Sequence, residues 1–132
     1  MSKMAVAKKV LLVEDDHFTQ FMMQEIIDSL GVKVDVAENG EEGCERLDKS
    51  PEDYGLVLMD IHMPKLSGVD ATKLIRQNPN DPPRSVAIIA VTADAQYHDK
   101  SVVTKHGMDG FIAKPVTAVE LDGLIDRYCR AA

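Results

Sequence analysis

Residues Val10–Asp16 read VLLVEDD: four aliphatic residues that run directly into three acids. The run is too short for a helix and has no polar face. It reads as a strand buried on both sides whose carboxyl end opens onto charge. Working outward, the same kind of run recurs at Val32–Val36, Leu56–Met59, Val86–Val91 and Phe111–Ala113. Longer stretches of mixed polarity and helical spacing lie between them. Strand–helix alternation with buried strands predicts an α/β fold, a parallel sheet covered on both faces. The right-handed crossover rule makes a three-layer, doubly wound open sheet the simplest topology.

The intervening stretches carry helix signals. With Thr19 as zero and about 100° per residue, Met22, Met23, Ile26, Ile27 and Leu30 fall within roughly 140° and predict a core stripe. Gly31 is placed to close that helix. Asn39 or Gly40 opens a second helix with Cys44 and Leu47 inward. A third follows Ser67–Gly68, with Ala71, Leu74 and Ile75 inward. Ala95–His106 is polar and poorly periodic, and is expected to be the next. Thr117 and Glu120 form a capping box ahead of a last helix, whose inner stripe is Leu121, Leu124, Ile125 and Tyr128. Asn78–Ser85, NPNDPPRS, reads as a surface loop.

Composition narrows the function classes. The chain has 132 residues, 45% hydrophobic and 28% charged, which fits one folded domain over 1–132 with its core from about 8 to 128. Fifteen basic against 22 acidic residues leave a net charge of −7, which argues against direct nucleic-acid binding. No apolar run nears the roughly 18–20 residues of a membrane span, and MSKMAVAKKV lacks a signal-peptide core, so a cytoplasmic chain is expected. The two cysteines, Cys44 and Cys129, are far apart with no metal-ligand spacing and read as packing residues.

In open parallel sheets, ligands sit beyond the carboxyl ends of the strands. The first run delivers Glu14-Asp15-Asp16 there, the third Asp60, the fourth Thr92 and the last Lys114-Pro115. Any one acid at a strand end is ordinarily a solvated loop charge. Thr92 alone reads as a helix cap, and Lys114 alone as a surface lysine. Their joint placement is what departs from those readings. Glu14, Asp15 and Asp60 crowded together repel unless a cation is present. Hard oxygen donors without thiolate or imidazole select Mg²⁺. A carboxylate beside such an ion, a lysine and a hydroxyl can attack phosphorus to form an aspartyl phosphate.

With VLLVEDD go AENGEEG, LVLMDIHMPKLSG, AVTAD and GFIAKP. Together, from about Lys8 to Tyr128, the chain resembles a response-regulator receiver domain of two-component signalling. The resemblance implies five parallel strands in order 2-1-3-4-5 with five helices. It also implies a phosphorylation switch that accepts a phosphoryl group on Asp60 from a sensor histidine kinase or histidine phosphotransfer protein. Asp15 would be a direct Mg²⁺ ligand, Glu14 would act through bound water, and the His62 backbone carbonyl would complete the set. Thr92, with the Ala93 N–H beside it, and Lys114 would bind the phosphoryl group. Phe111 would hold the switch aromatic position, and Pro115 would follow a cis peptide. Two departures stand out: Ser67 where many members have an acid, and Phe111 where a Tyr would add a hydroxyl.

Output is expected through a downstream protein target. The end Arg130-Ala-Ala slightly favours a stand-alone switch, with the excised receiver of a hybrid kinase as the open alternative, and the chain is expected not to be an enzyme beyond assisting its own phosphorylation and dephosphorylation. His62 and Asp94, two residues beyond Asp60 and Thr92, are expected to tune phosphate lifetime. Phe21 lies about 190° from the centre of the first helix's core stripe and Phe18 at its margin. With Val116, they are expected to dock the partner. The competing readings are a Mg²⁺-dependent small-molecule phosphatase and a flavodoxin-like binder. The first would want an acid where His62 stands, and a cap insertion. The second would want Gly, Ser or Thr where the chain reads Glu-Asp-Asp-His-Phe.

Overall fold

The computed structural model describes residues 8–130; residues 1–7 and 131–132, which hold both ends of the expected domain, lie outside the described residues. The order is β1 (Lys9–Val13), α1 (His17–Ser29), β2 (Val34–Ala37), α2 (Gly40–Lys49), β3 (Tyr54–Asp60) and α3 (Gly68–Arg76). Then come β4 (Ala87–Thr92), a 3₁₀ turn (Ala95–Tyr97), α4 (Lys100–Lys105), β5 (Gly110–Ala113) and α5 (Ala118–Tyr128). All strand pairs are parallel, in the order β2-β1-β3-β4-β5.

The aliphatic runs are continuous because both faces of the sheet are covered. Leu11, Val13, Val57, Met59, Ile88 and Ala90 meet α2, α3 and α4 through Leu47, Ala71, Ile75 and Val103. Val10, Leu12, Leu56, Leu58, Ile89 and Val91 meet α1 and α5 through Met23, Ile27, Leu121 and Ile125. Each fully buried Val, Leu, Ile or Met among them stabilises the fold by roughly 1.5–3 kcal/mol on burial. Alternate residues of one strand therefore serve two cores, and a one-residue slip would exchange them. Among the described residues, no helix is long and apolar enough to cross a membrane.

The helix starts follow their caps. Asp16 accepts the Thr19 N–H, Asn39 the Glu42 N–H, and Thr117 with Glu120 completes the capping box. Ser67 caps α3 by accepting the Asp70 N–H, which gives this hydroxyl a local role at the family's acidic position. Gly31, at φ 79°, closes α1 as expected.

Four expectations need correction. Met22 is 45% exposed, because the buried stripe of α1 centres on Met23 and Ile27. That is a rotation of about 50° from the expected centre, enough to carry Met22 to the rim and Phe18 from the margin to the outer face. Leu74 is 51% exposed: α3 buries Gly68, Ala71, Thr72 and Ile75 instead, and the Thr72 hydroxyl is satisfied by donating to the Gly68 carbonyl at 2.8 Å. The Ala95–His106 stretch is not one helix. Asp94 caps the 3₁₀ turn, and Asp99 restarts the chain as α4, which buries only Val103. Val32 precedes β2 and is buried in the turn leading into it.

Candidate functional site

Parallel pairing brings the strand ends level. Val13 stands opposite Met59, Asp60 opposite Val91, and Thr92 opposite Ala113. Glu14, Asp60, Thr92 and Lys114 therefore arrive at one edge of the sheet from four strands. Asp60 is the last residue of β3 and is buried. Behind it, α3 begins against its backbone: a Cβ on Gly68 would lie 2.0 Å from the Asp60 carbonyl oxygen. No side chain fits there, so glycine is required for α3 to support the acid so closely. The Gly68 N–H donates to the Ile61 carbonyl at 2.9 Å, holding the turn after the strand.

One carboxylate oxygen from each of Glu14, Asp15 and Asp60 lies within 4.8 Å of the others. Lys114 Nζ is 2.7 Å from Glu14 Oε1 and 3.7 Å from Asp60 Oδ1. Glu14 is buried; its Oε2 accepts the Asp16 N–H at 3.1 Å, while Oε1 makes no hydrogen bond of good geometry. Burial, then the nearby Glu14 charge, pushes the Asp60 carboxyl up to about 7, and Lys114 opposes the rise without cancelling it. Three carboxylates thus share one ammonium, which sits against Glu14 Oε1 and farther from Asp60. This set of hard oxygens, short of positive charge, fits a divalent cation of the Mg²⁺ class. Asp16 does not join it, since its side chain caps α1.

Thr92 is buried at the end of β4. Its hydroxyl oxygen accepts the Asp94 N–H at 3.0 Å, which leaves its proton to donate toward the pocket. The exposed Ala93 follows at the rim. His62 Nε2 is 2.7 Å from Asp94 Oδ2, so the two residues expected to act on lifetime form one pair. That bond, followed by the Gln96 N–H, holds the Asp94 carboxyl below its usual range. The Lys114–Pro115 peptide is cis, as the resemblance implied.

Phe18 and Val116 are brought together with Lys114, Pro115, Thr19, Met22, Met23 and Ile26 in an apolar groove of about 280 Å³ beside the acids. Phe21, 61% exposed, stands on the outer face of α1, outside that lining. Phe111 is half-buried and stacks on His98 rather than entering the acidic cluster. Two participants, His98 and Gln20, are missed in the sequence, and Gly68 reads there only as a helix start. Gln20 Nε2 donates to the Glu14 carbonyl at 2.6 Å, a contact that only the turn from β1 into α1 creates.

A family model, the response regulator receiver domain, matches residues 10–126. This chain belongs to the response regulator receiver family. As a receiver domain it is 31% identical over 127 residues to the osmosensing histidine protein kinase SLN1 of Saccharomyces cerevisiae, covering 93% of this chain and 10% of that protein. It is 36% identical over 121 residues to the transcription factor SKN7 of the same yeast, covering 92% of this chain and 18% of that protein. The receiver thus spans less than a fifth of the length of either relative. Among solved structures, the receiver domain of sensor histidine kinase PA1611 from Pseudomonas aeruginosa superposes with a TM-score of 0.80 at 33% identity, over 92% of this chain and 97% of that one. That structure holds a magnesium ion coordinated in its active-site cleft. The family, the sheet order and the acidic cluster agree on a response-regulator receiver domain whose three carboxylates could hold a divalent cation.

Proposed function

We propose that Asp60 is the phospho-acceptor of this receiver and that a histidine kinase or histidine phosphotransfer protein is its donor. The observation that carries the reading is the gathering of Asp60, Glu14, Asp15 and Lys114 at one sheet edge. A carboxylate oxygen of Asp60 attacks phosphorus as the donor's P–N bond breaks. The phosphoryl group becomes an acyl phosphate, and the electron pair leaves with the donor imidazole. Glu14, Asp15 and Asp60, with the His62 carbonyl, would hold Mg²⁺, which when bound neutralises charge on the transferring oxygens. Lys114 Nζ, already between Glu14 and Asp60, is placed to pair with a phosphoryl oxygen. The Thr92 hydroxyl and the Ala93 N–H serve as further donors to that group.

The chain acts stoichiometrically in this reading, as a cytoplasmic switch and not as an enzyme on a separate substrate. Phosphorylation shifts its conformational population, and the surface that changes is read by a downstream protein target. Partner docking is assigned to Phe18 and Val116, which line the groove next to Lys114, and to the exposed Phe21. A net charge of −7 gives no attraction to a nucleic-acid backbone or an anionic membrane surface.

Intact-mass measurement after incubation with Mg²⁺ and a small phosphodonor tests the acceptor. Wild type should gain one phosphoryl group that is acid-stable and base-labile, and Asp60→Asn should gain none. Full labelling of Asp60→Asn would overturn the assignment.

A further inference from the structure

Phe111 has no hydroxyl, so its ring by itself cannot hydrogen-bond to the strand end where phosphate would be sensed. A neighbouring imidazole fills that gap. His98 follows the 3₁₀ turn after β4, and its Nε2 lies 2.7 Å from the Thr92 carbonyl oxygen. A carbonyl only accepts, so the ring nitrogen donates. The face of the same ring stacks on Phe111, with centroids 5.7 Å apart and planes 15° from parallel. One side chain therefore bonds to the main chain of Thr92 and packs on the aromatic of β5. The Thr92 carbonyl also accepts the Lys114 N–H at 3.1 Å, so both phosphoryl-binding strand ends meet at one oxygen.

We propose that His98 is a positioning residue that couples Thr92 to Phe111, so that the β5 aromatic reports the state of the acceptor site through an imidazole rather than through a hydroxyl of its own. The inference rests on Asp60 being the acceptor. Closure of Thr92 and its following loop onto a phosphoryl group displaces the Thr92 carbonyl and the 3₁₀ turn that carries His98. The imidazole is tied to both, and its stacked face carries Phe111 with it. The two contacts separate by substitution. His98→Phe keeps a stacking plane and removes the donor, His98→Gln keeps a donor and removes the ring, and His98→Ala removes both.

The test is NMR of the whole chain with beryllofluoride and Mg²⁺ as the phosphoryl mimic. The Thr92 amide and the Phe111 ring resonances are followed in wild type and in the three variants. In wild type, both should move on saturation. In His98→Ala and His98→Phe, the Thr92 amide should still move in full while the Phe111 displacement falls to less than half. His98→Gln should recover part of it. The Ala and Phe variants carry the test separately, so loss of fold in one leaves the other decisive. If Phe111 moves as far as in wild type when the donor is gone, His98 is not the coupler. If Thr92 responds in wild type and Phe111 does not, the coupling again fails while the acceptor reading stands. If neither responds because the mimic does not bind, both fall together.

Discussion

Lys114 Nζ stands 2.7 Å from Oε1 of Glu14, a buried carboxylate oxygen without a hydrogen bond of good geometry. The lysine therefore does two jobs. It partly neutralises the acidic cluster, and it lies 3.7 Å from Asp60, the proposed acceptor. Lys114→Ala should lower unfolding free energy in divalent-free buffer by about 1–3 kcal/mol, because a buried charge loses its partner. Saturating Mg²⁺ should close most of that gap, and labelling by a small phosphodonor should slow. Denaturant titration with and without chelator reads the first two effects; unchanged stability would show that Glu14 does not depend on Lys114.

The bond between His62 and Asp94, at 2.7 Å, spans the loops that leave β3 and β4. We expect His62→Ala and Asp94→Ala to change the decay rate of the acyl phosphate in the same direction, with labelling stoichiometry unchanged. Since each removes the same bond, the double variant should resemble either single one. Decay rates that multiply in the double variant would mean that the residues act separately.

Phe18 and Phe21 are 69% and 61% exposed, so neither is needed for the core. Replacing either by Ala should leave stability within about 0.5 kcal/mol. Small-molecule labelling should be unaffected, and transfer from a histidine phosphotransfer protein should slow. Phosphotransfer kinetics with both variants decide it: rates equal to wild type would put docking elsewhere.

At the opposite end of the sheet, the Tyr54 hydroxyl donates to Asp35 Oδ2 at 2.7 Å and Lys9 Nζ lies 3.1 Å from the same oxygen. Burial works to raise the Asp35 carboxyl, but the Tyr54 and Lys9 bonds outweigh it and hold it below 3.8. Burial, then the Asp35 bond, pushes Tyr54 up to about 12 from 10.0. A lowered acid contributes above its unfolded value and loses that contribution as pH falls through its folded one. A raised phenol contributes below pH 10 and loses it as pH rises toward 12. Tyr54→Phe should therefore cost about 1–2 kcal/mol on a plateau from roughly pH 4 to 10, and less on either side. Stability curves of the two proteins against pH should converge at both ends; a constant gap would remove the bond as the cause.

Much of this was legible in the linear chain, for reasons that are local. An aliphatic run ending in acids, a capping box and a loop of prolines each carry their meaning within a few residues. Strand alternation then requires the acidic and basic strand ends to share an edge, so Glu14, Asp15, Asp60, Thr92 and Lys114 could be grouped without coordinates. What the tertiary structure alone decided depends on how elements rotate and touch. The phase of α1 is set by what Met23 and Ile27 find beneath them, which turned Met22 and Phe18 outward. The pairing of His62 with Asp94 and the stacking of His98 on Phe111 join residues 32 and 13 positions apart, on segments whose sequences name no partner. Gly68 reads as an ordinary helix start until the backbone of Asp60 is seen against it. Periodicity and capping are properties of one segment, whereas these contacts belong to pairs of segments, and only packing brings the pairs together.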